Sequence, residues 1–277
     1  MQATRSIFWK ACSLLAIVLL LAGCNAGSIP QTGANLPVLT LDLNDTAITA
    51  PGPMAPGIVR VNINNTGQAP RTVTLARLNT GVTLEQFMQT LTTDDMAAVA
   101  LVALAGGTDA PPGEPASFMT DLKTGTYAVI SFPESDQPPL TTSFEVNGTA
   151  STALAPPETQ GSVDLLDFSF NLPEPVEAGP LTWEVTNSGA QWHEIVVFKL
   201  QPGQTQEDFI GLLMSDTQPA TEPEQLLYFG PITQGERGWV TFDLTAGSYI
   251  AVCFLPDVVG GGESHVEKGM VQTFTVE

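Results

Sequence analysis

The sequence predicts an all-β protein built from two copies of one fold, each with a short helical insertion. Three observations carry that prediction. Apolar and polar residues alternate with period two in short runs bounded by Gly, Pro and Asn, the mark of half-buried strands. Charged residues make up only 14% and hydrophobic residues 43% of a 277-residue chain with 22 Pro and 25 Gly, which favours compact β structure over long charged helices or general disorder. The third observation is an internal repeat. Asn65-Thr66-Gly67 matches Asn187-Ser188-Gly189, Thr83-Leu84-Glu85-Gln86-Phe87 matches Thr205-Gln206-Glu207-Asp208-Phe209, and Gly125-Thr126-Tyr127 matches Gly247-Ser248-Tyr249. Every pair is 122 apart (187 − 65 = 122), and a constant offset over such a length is the signature of duplication.

The first 24 residues read as a targeting segment. Arg5 and Lys10 form a basic start, and Ala11 to Leu21 is an apolar run too short to span a membrane comfortably. It ends Leu21-Ala22-Gly23-Cys24, which resembles a bacterial lipobox. Cys24 is then the expected lipidation site, and the expected location is extracytoplasmic, anchored to a bacterial membrane. Residues 25–36 form a small, polar tether. The first repeat unit occupies residues 37–146. There Leu39, Leu41 and Leu43 alternate with polar residues, as do Val59, Val61 and Ile63. Thr83 to Leu91 reads as a short helix, and Asp95 to Ala105 as a second, Ala-rich one ended by Gly106-Gly107. Residues 147–160 read as a linker, and residues 161–277 as the second unit.

The units differ near their ends. Phe144-Glu145-Val146 matches Phe274-Thr275-Val276 at an offset of 130 (276 − 146 = 130), so the second copy has gained 8 residues between Tyr249 and Phe274. That stretch carries Cys253, His265 and Met270. Of the three cysteines, Cys12 lies in the leader and Cys24 takes lipid, leaving Cys253 as the lone thiol of an exported chain. The only other histidine, His193, follows the Asn187-Ser188-Gly189 turn. In the first copy Arg71 stands where His193 does, Ser131 for Cys253, and Leu140 for Met270. A thiol, two imidazoles and a thioether make a soft to borderline set that favours copper over calcium or magnesium. Singly, Cys253 also reads as a buried core thiol, His193 as a strand-edge histidine and Met270 as core filler.

The segments around these residues resemble the cupredoxins, the plastocyanin and azurin superfamily. Asn187 to Phe198 looks like the strand, turn, histidine and strand of plastocyanin. Gly247 to Cys253 looks like its ligand-bearing strand, and His265-Val266-Glu267-Lys268-Gly269-Met270 like its His-x₄-Met. The resemblance implies two tandem Greek-key β-sandwiches, with one mononuclear type 1 copper in the second. It implies His193 and His265 as nitrogen ligands, Cys253 as thiolate and Met270 as axial sulfur, with His265 nearest solvent as the electron port. Trp192 and Glu194 flank the first histidine. Glu194 departs from the Asn common there, and the expectation for it is a solvated side chain. Trp192 is expected to pack.

The functional expectation is a lipid-anchored electron carrier serving a redox partner that is basic or membrane-bound. Alternatives are a copper-binding or storage module, and a structural or interaction protein with a vestigial site. A formal net charge of −20 excludes nucleic acid as a partner. With two histidines the chain lacks those that multicopper oxidases and nitrite reductases need for their catalytic coppers, so no enzymatic activity is expected.

Overall fold

The structure, a computed structural model, describes residues 36–133, 137–150, 155–215 and 223–277. The leader, the lipidation candidate Cys24 and most of the tether lie outside these residues, as does part of the 147–160 segment.

The all-β expectation holds. The first half runs β1 (Val38–Leu43), β2 (Ile48–Thr49), β3 (Gly57–Asn65), β4 (Arg71–Leu78), α1 (Leu84–Thr93), α2 (Asp95–Val99), β5 (Val102–Ala110), β6 (Pro115–Leu122), β7 (Gly125–Pro133) and β8 (Leu140–Val146). The second runs β9 (Gly161–Leu166), β10 (Ser169–Asn171), β11 (Gly179–Asn187), β12 (His193–Lys199), α3 (Gln206–Leu213), β13 (Glu224–Ile232), β14 (Arg237–Leu244), β15 (Gly247–Val252) and β16 (Val271–Val276). Strands β11, β13, β14 and β15 each start 122 residues after β3, β5, β6 and β7 (179 − 57 = 122). Each half is a Greek-key sandwich of two four-stranded sheets. One sheet is ordered β2-β1-β3-β6 and β10-β9-β11-β14, the other β5-β4-β7-β8 and β13-β12-β15-β16. Only β1 with β3 and β9 with β11 pair parallel among these neighbours.

Alternation explains the strands. In β1, Leu39, Leu41 and Leu43 are buried and Val38, Thr40 and Asp42 face outward or to the edge. β12 breaks the rule, with His193 to Phe198 all buried. Its outer face is covered by α3, whose Phe209 packs 5.2 Å from Phe198 with the rings tilted at 49°. Burying Phe209 is worth about 2–3 kcal/mol. A capping box between Thr205 and Asp208 starts this helix, as Thr83 and Gln86 start α1.

The two halves join edge to edge. β6 pairs with β14 through Thr120–Gly238 and Met119–Trp239, and β5 meets β13 at Ala105–Ile232. Both sheets therefore continue through the molecule, and one hydrophobic core runs through both halves. Phe229 crosses the seam to Phe118, 6.1 Å away edge to face. A Cβ on Gly238 would lie 2.5 Å from the Phe229 ring, and one on Gly230 2.9 Å from the Gly107 backbone, so the seam needs glycine. Buried Glu236 binds Lys123 at 2.9 Å and Arg77 at 3.3 Å across it.

This seam corrects one helix. Asp95 to Val99 is helical, but Val102 to Ala105 is strand, because Ala103 pairs with Arg77 and Ala105 with Ile232 of the other half. Alanine helix propensity of a few tenths of a kcal/mol yields to sheet pairing and core burial.

Candidate metal centre

Three loops at one end of the second sandwich build the centre. The Asn187 turn comes first. Its Nδ2 donates to Gln191 O at 2.8 Å and Ile232 O at 2.7 Å, and the amides of Ser188 and Gly189 donate to Leu165 O. Asn65 does the same in the first half, to Ala69 O and Ala110 O. The turn is thus shared framework, and what differs is the residue it delivers to the head of the next strand. Gly189 is required: a Cβ there would lie 2.6 Å from Asp167 Oδ1 and 2.7 Å from His193 Nε2.

The second loop joins Cys253 to Met270 and is folded on itself. His265 N donates to Leu255 O at 2.7 Å, and Met270 N to His265 O at 2.8 Å. Buried Asp257 accepts from the amides of Val259 and Gly260 and binds the Lys268 ammonium, which holds its carboxyl far below the usual range. Gln191 Oε1 accepts from Val258 N at 3.0 Å, tying this loop to the histidine turn. The third loop is the two-residue connection Asp167-Phe168 between β9 and β10.

His193, Cys253 and His265 converge, with ligand atoms all within 4.8 Å of one another and all three residues fully buried. His193 Nδ1 lies 3.0 Å from His265 Nδ1, and Cys253 Sγ lies 3.4 Å from the same atom. Met270 is fully buried beside them, and its carbonyl accepts from Cys253 N at 3.2 Å. Trp192 packs in the core at 2% exposure.

The electrostatics suit a cation. Burial pulls the pKa of both imidazoles down, His265 to about 4 with His193 adding to the effect, so both are neutral ligands at physiological pH. Burial pushes the Cys253 thiol up, and the Glu194 carboxylate adds to that, while the backbone amides of Glu194 and Leu255 point at sulfur and favour the thiolate. The donor set fits a small soft ion. Bonds of about 2.0–2.1 Å to nitrogen and about 2.3 Å to sulfur put two nitrogens roughly 3.3 Å apart, and nitrogen and sulfur roughly 3.5 Å apart, around a tetrahedral ion. The 3.0 and 3.4 Å separations at His265 lie close to those values, and all three ligand atoms lie within 4.8 Å of one another.

Two expectations for single residues are corrected. Glu194 is 5% exposed, not solvated, because β12 is covered on both faces. Burial raises its carboxyl to about 7, and it accepts from Phe254 N at 3.2 Å, linking the histidine strand to the residue after Cys253. His265 does not reach solvent, because Phe168 stands edge-on to it at 5.3 Å and 87°. Asp167 and Phe168 were not found from sequence. Asp167 Oδ1 sits 3.0 Å from His193 Nε2 and accepts from Gln191 N at 3.1 Å. A signal existed, since Asp167 is 122 residues after Asp45, which anchors the equivalent turn through Gln68 N (167 − 45 = 122).

The fold and the His–Cys–His cluster bear out the cupredoxin resemblance. Among solved structures, the chain is similar to auracyanin A, a "blue" copper protein from the green thermophilic photosynthetic bacterium Chloroflexus aurantiacus. The identity is 21% and the TM-score 0.29, over 42% of this chain and 96% of that one. A dithionite-reduced auracyanin from Roseiflexus castenholzii matches at 19% identity and TM-score 0.28, over 42% and 94%. A multicopper oxidase variant from the hyperthermophile Aquifex aeolicus matches at 11% identity and TM-score 0.28, over 88% and 66%. No protein-family model and no curated protein matches the chain. The expectation of no enzymatic activity is corrected here. Several of the similar structures are multicopper oxidases, which are enzymes.

Proposed function

We propose that the second half holds one copper ion as a type 1 centre and passes single electrons between this protein and a redox partner. His193, Cys253 and His265 are the proposed equatorial ligands and Met270 the axial one. The observation that carries this reading is the buried His–Cys–His cluster with no carboxylate in the set. Two imidazoles, a thiolate and a weak thioether form the donor set of blue copper sites. Copper bound there supplies a one-electron couple.

The chain's own groups do the rest. His193 and His265 present neutral Nδ1 atoms, and Cys253 gives up its proton on metal binding. The amides of Glu194 and Leu255 stabilise the thiolate. The doubly tied loops resist rearrangement, which favours rapid electron exchange. Full burial speaks against a delivery module, whose cargo needs an open face. A lipid at Cys24 would hold the protein outside the cytoplasm, and the charge of −20 suits a basic or membrane-bound partner.

The full chain loaded with Cu(II) is expected to absorb strongly near ~600 nm, and Cys253→Ser to abolish that band. A Ser variant that stays blue sinks the ligand assignment. A colourless protein that binds Cu(I) tightly supports a copper-binding module instead, and no copper at all leaves a structural role.

A further inference from the structure

One two-residue turn touches both histidines by different means. Asp167 reaches His193 Nε2 with a carboxylate oxygen at 3.0 Å. Phe168 packs its ring edge-on to His265, and Lys268 Nζ lies 4.9 Å from the centroid of that ring. Among the described residues His265 Nε2 has no hydrogen-bond partner, so packing holds that side of the ring while Nδ1 meets His193 and Cys253. Phe168 has φ +62°, the single positive φ outside glycine among the described residues. The second residue of such a connection favours Gly or Asn when φ is positive, and a bulky residue there is strained. Strain of this kind points to a constraint imposed by function. In the first half the equivalent pair is Asp45-Thr46 (168 − 122 = 46), with no positive φ, and the residue at the histidine position is Arg71.

We propose that Asp167 is a positioning residue for the metal centre, fixing His193 with Nδ1 toward Cys253 and His265, while Phe168 closes His265 off from water. The inference rests on the metal reading above and deepens it. Accepting a hydrogen bond from Nε2–H leaves Nδ1 as the lone-pair nitrogen, so the ring is set for a metal before one arrives. Asp167 also accepts from Gln191 N, and Gln191 Oε1 holds Val258 N, so the histidine turn and the long loop meet through this carboxylate. A carboxylate behind a ligating imidazole makes it a stronger donor and favours the more highly charged metal state. It therefore lowers the reduction potential.

The test uses the full chain with Asp167→Asn, Asp167→Ala and Phe168→Gly. In the metal-free protein, side-chain nitrogen NMR should show His193 as the Nε2–H tautomer. In Asp167→Ala that tautomer should be lost, with melting temperature tracking any general damage. Zinc alone serves as an affinity probe. Asp167→Ala should weaken it by ~10–100-fold, and Asp167→Asn by less because the amide oxygen still accepts. With copper bound, both variants should show a raised reduction potential. Phe168→Gly relieves the backbone, so it should keep the melting temperature yet release copper to a chelator faster.

Wild-type protein that binds neither zinc nor copper overturns the metal reading. If wild type binds metal and both Asp167 variants keep the tautomer, the affinity and the potential, only the positioning role is overturned. Phe168→Gly releasing copper at the wild-type rate overturns the closing role.

Discussion

The two halves place opposite solutions in the same frame. In the second, His193 and Cys253 face each other across a cluster of neutral donors, with Asp167 behind the imidazole. In the first, Arg71 stands at the same strand head and is 4% exposed. Its Nη2 lies 3.3 Å from Asp45 O and its Nη1 3.5 Å from Ser131 O, the residues equivalent to Asp167 and Cys253. Desolvation lowers the Arg71 pKa and Asp45 opposes it, yet a guanidinium keeps its charge at any ordinary pH. A covalently attached cation fills the position where the second half presents lone pairs. The comparison teaches that the Asn-x-Gly turn, the Asp anchor and the strand pair are architecture, and that metal chemistry depends on what the strand heads carry.

The largest expected effect that separates the halves is on pH dependence, because both histidines belong to the second. His265 has a folded pKa near 4 against about 6.5 unfolded. The unfolded chain binds the extra proton first, so the stability this imidazole contributes is full above pH 6.5 and falls as pH drops toward 4. Glu194, raised from 4.5 to about 7, gains stability over the same window, so the loss of about 3 kcal/mol should appear in urea denaturation of a Glu194→Gln variant, and bound copper should resist it. A metal-free Glu194→Gln protein equally stable at pH 7 and 4.5 would break the claim that the imidazoles are held neutral.

Next comes the plug. Arg71→Ala removes a buried side chain and its bonds to two carbonyls, and should cost about 2 kcal/mol in chemical denaturation. The ~600 nm band of copper-loaded protein should be unaltered, since the variant lies in the other sandwich. A shifted band would mean that the halves are coupled through the seam.

The smallest effect sharpens the equivalence. Thr83→Ala and Thr205→Ala each remove one capping box and should each cost about 1 kcal/mol, with copper uptake unaltered in both. Clearly unequal costs would show that α1 and α3 contribute differently to their sandwiches.

Much was legible in the sequence because it was local or repeated. Leu39, Leu41 and Leu43 alternate by backbone geometry alone, and the Thr83 and Thr205 caps satisfy amides three residues away. Asp95 to Ala105 misled, because Ala-rich composition speaks for a helix while Ala103 and Ala105 are claimed by partners distant in sequence. Glu194 misled likewise, since a charged residue is exposed by default, and here Tyr228 of β13 and the Phe254 amide close on it. Nothing nearby in the chain reveals that Phe168 would cover His265.

The sequence by itself determined the all-β class, the constant offset of 122 between matched segments and the order His193, Cys253, His265, Met270, because each follows from periodicity, offset or residue type along the chain. Only the tertiary structure decided that the two sandwiches fuse through both sheets, that His193, Cys253 and His265 come within 4.8 Å, and that one turn holds both imidazoles. Those facts arise from contacts between residues far apart in sequence. Such contacts form only once the core has ordered its strands, and no local pattern encodes them.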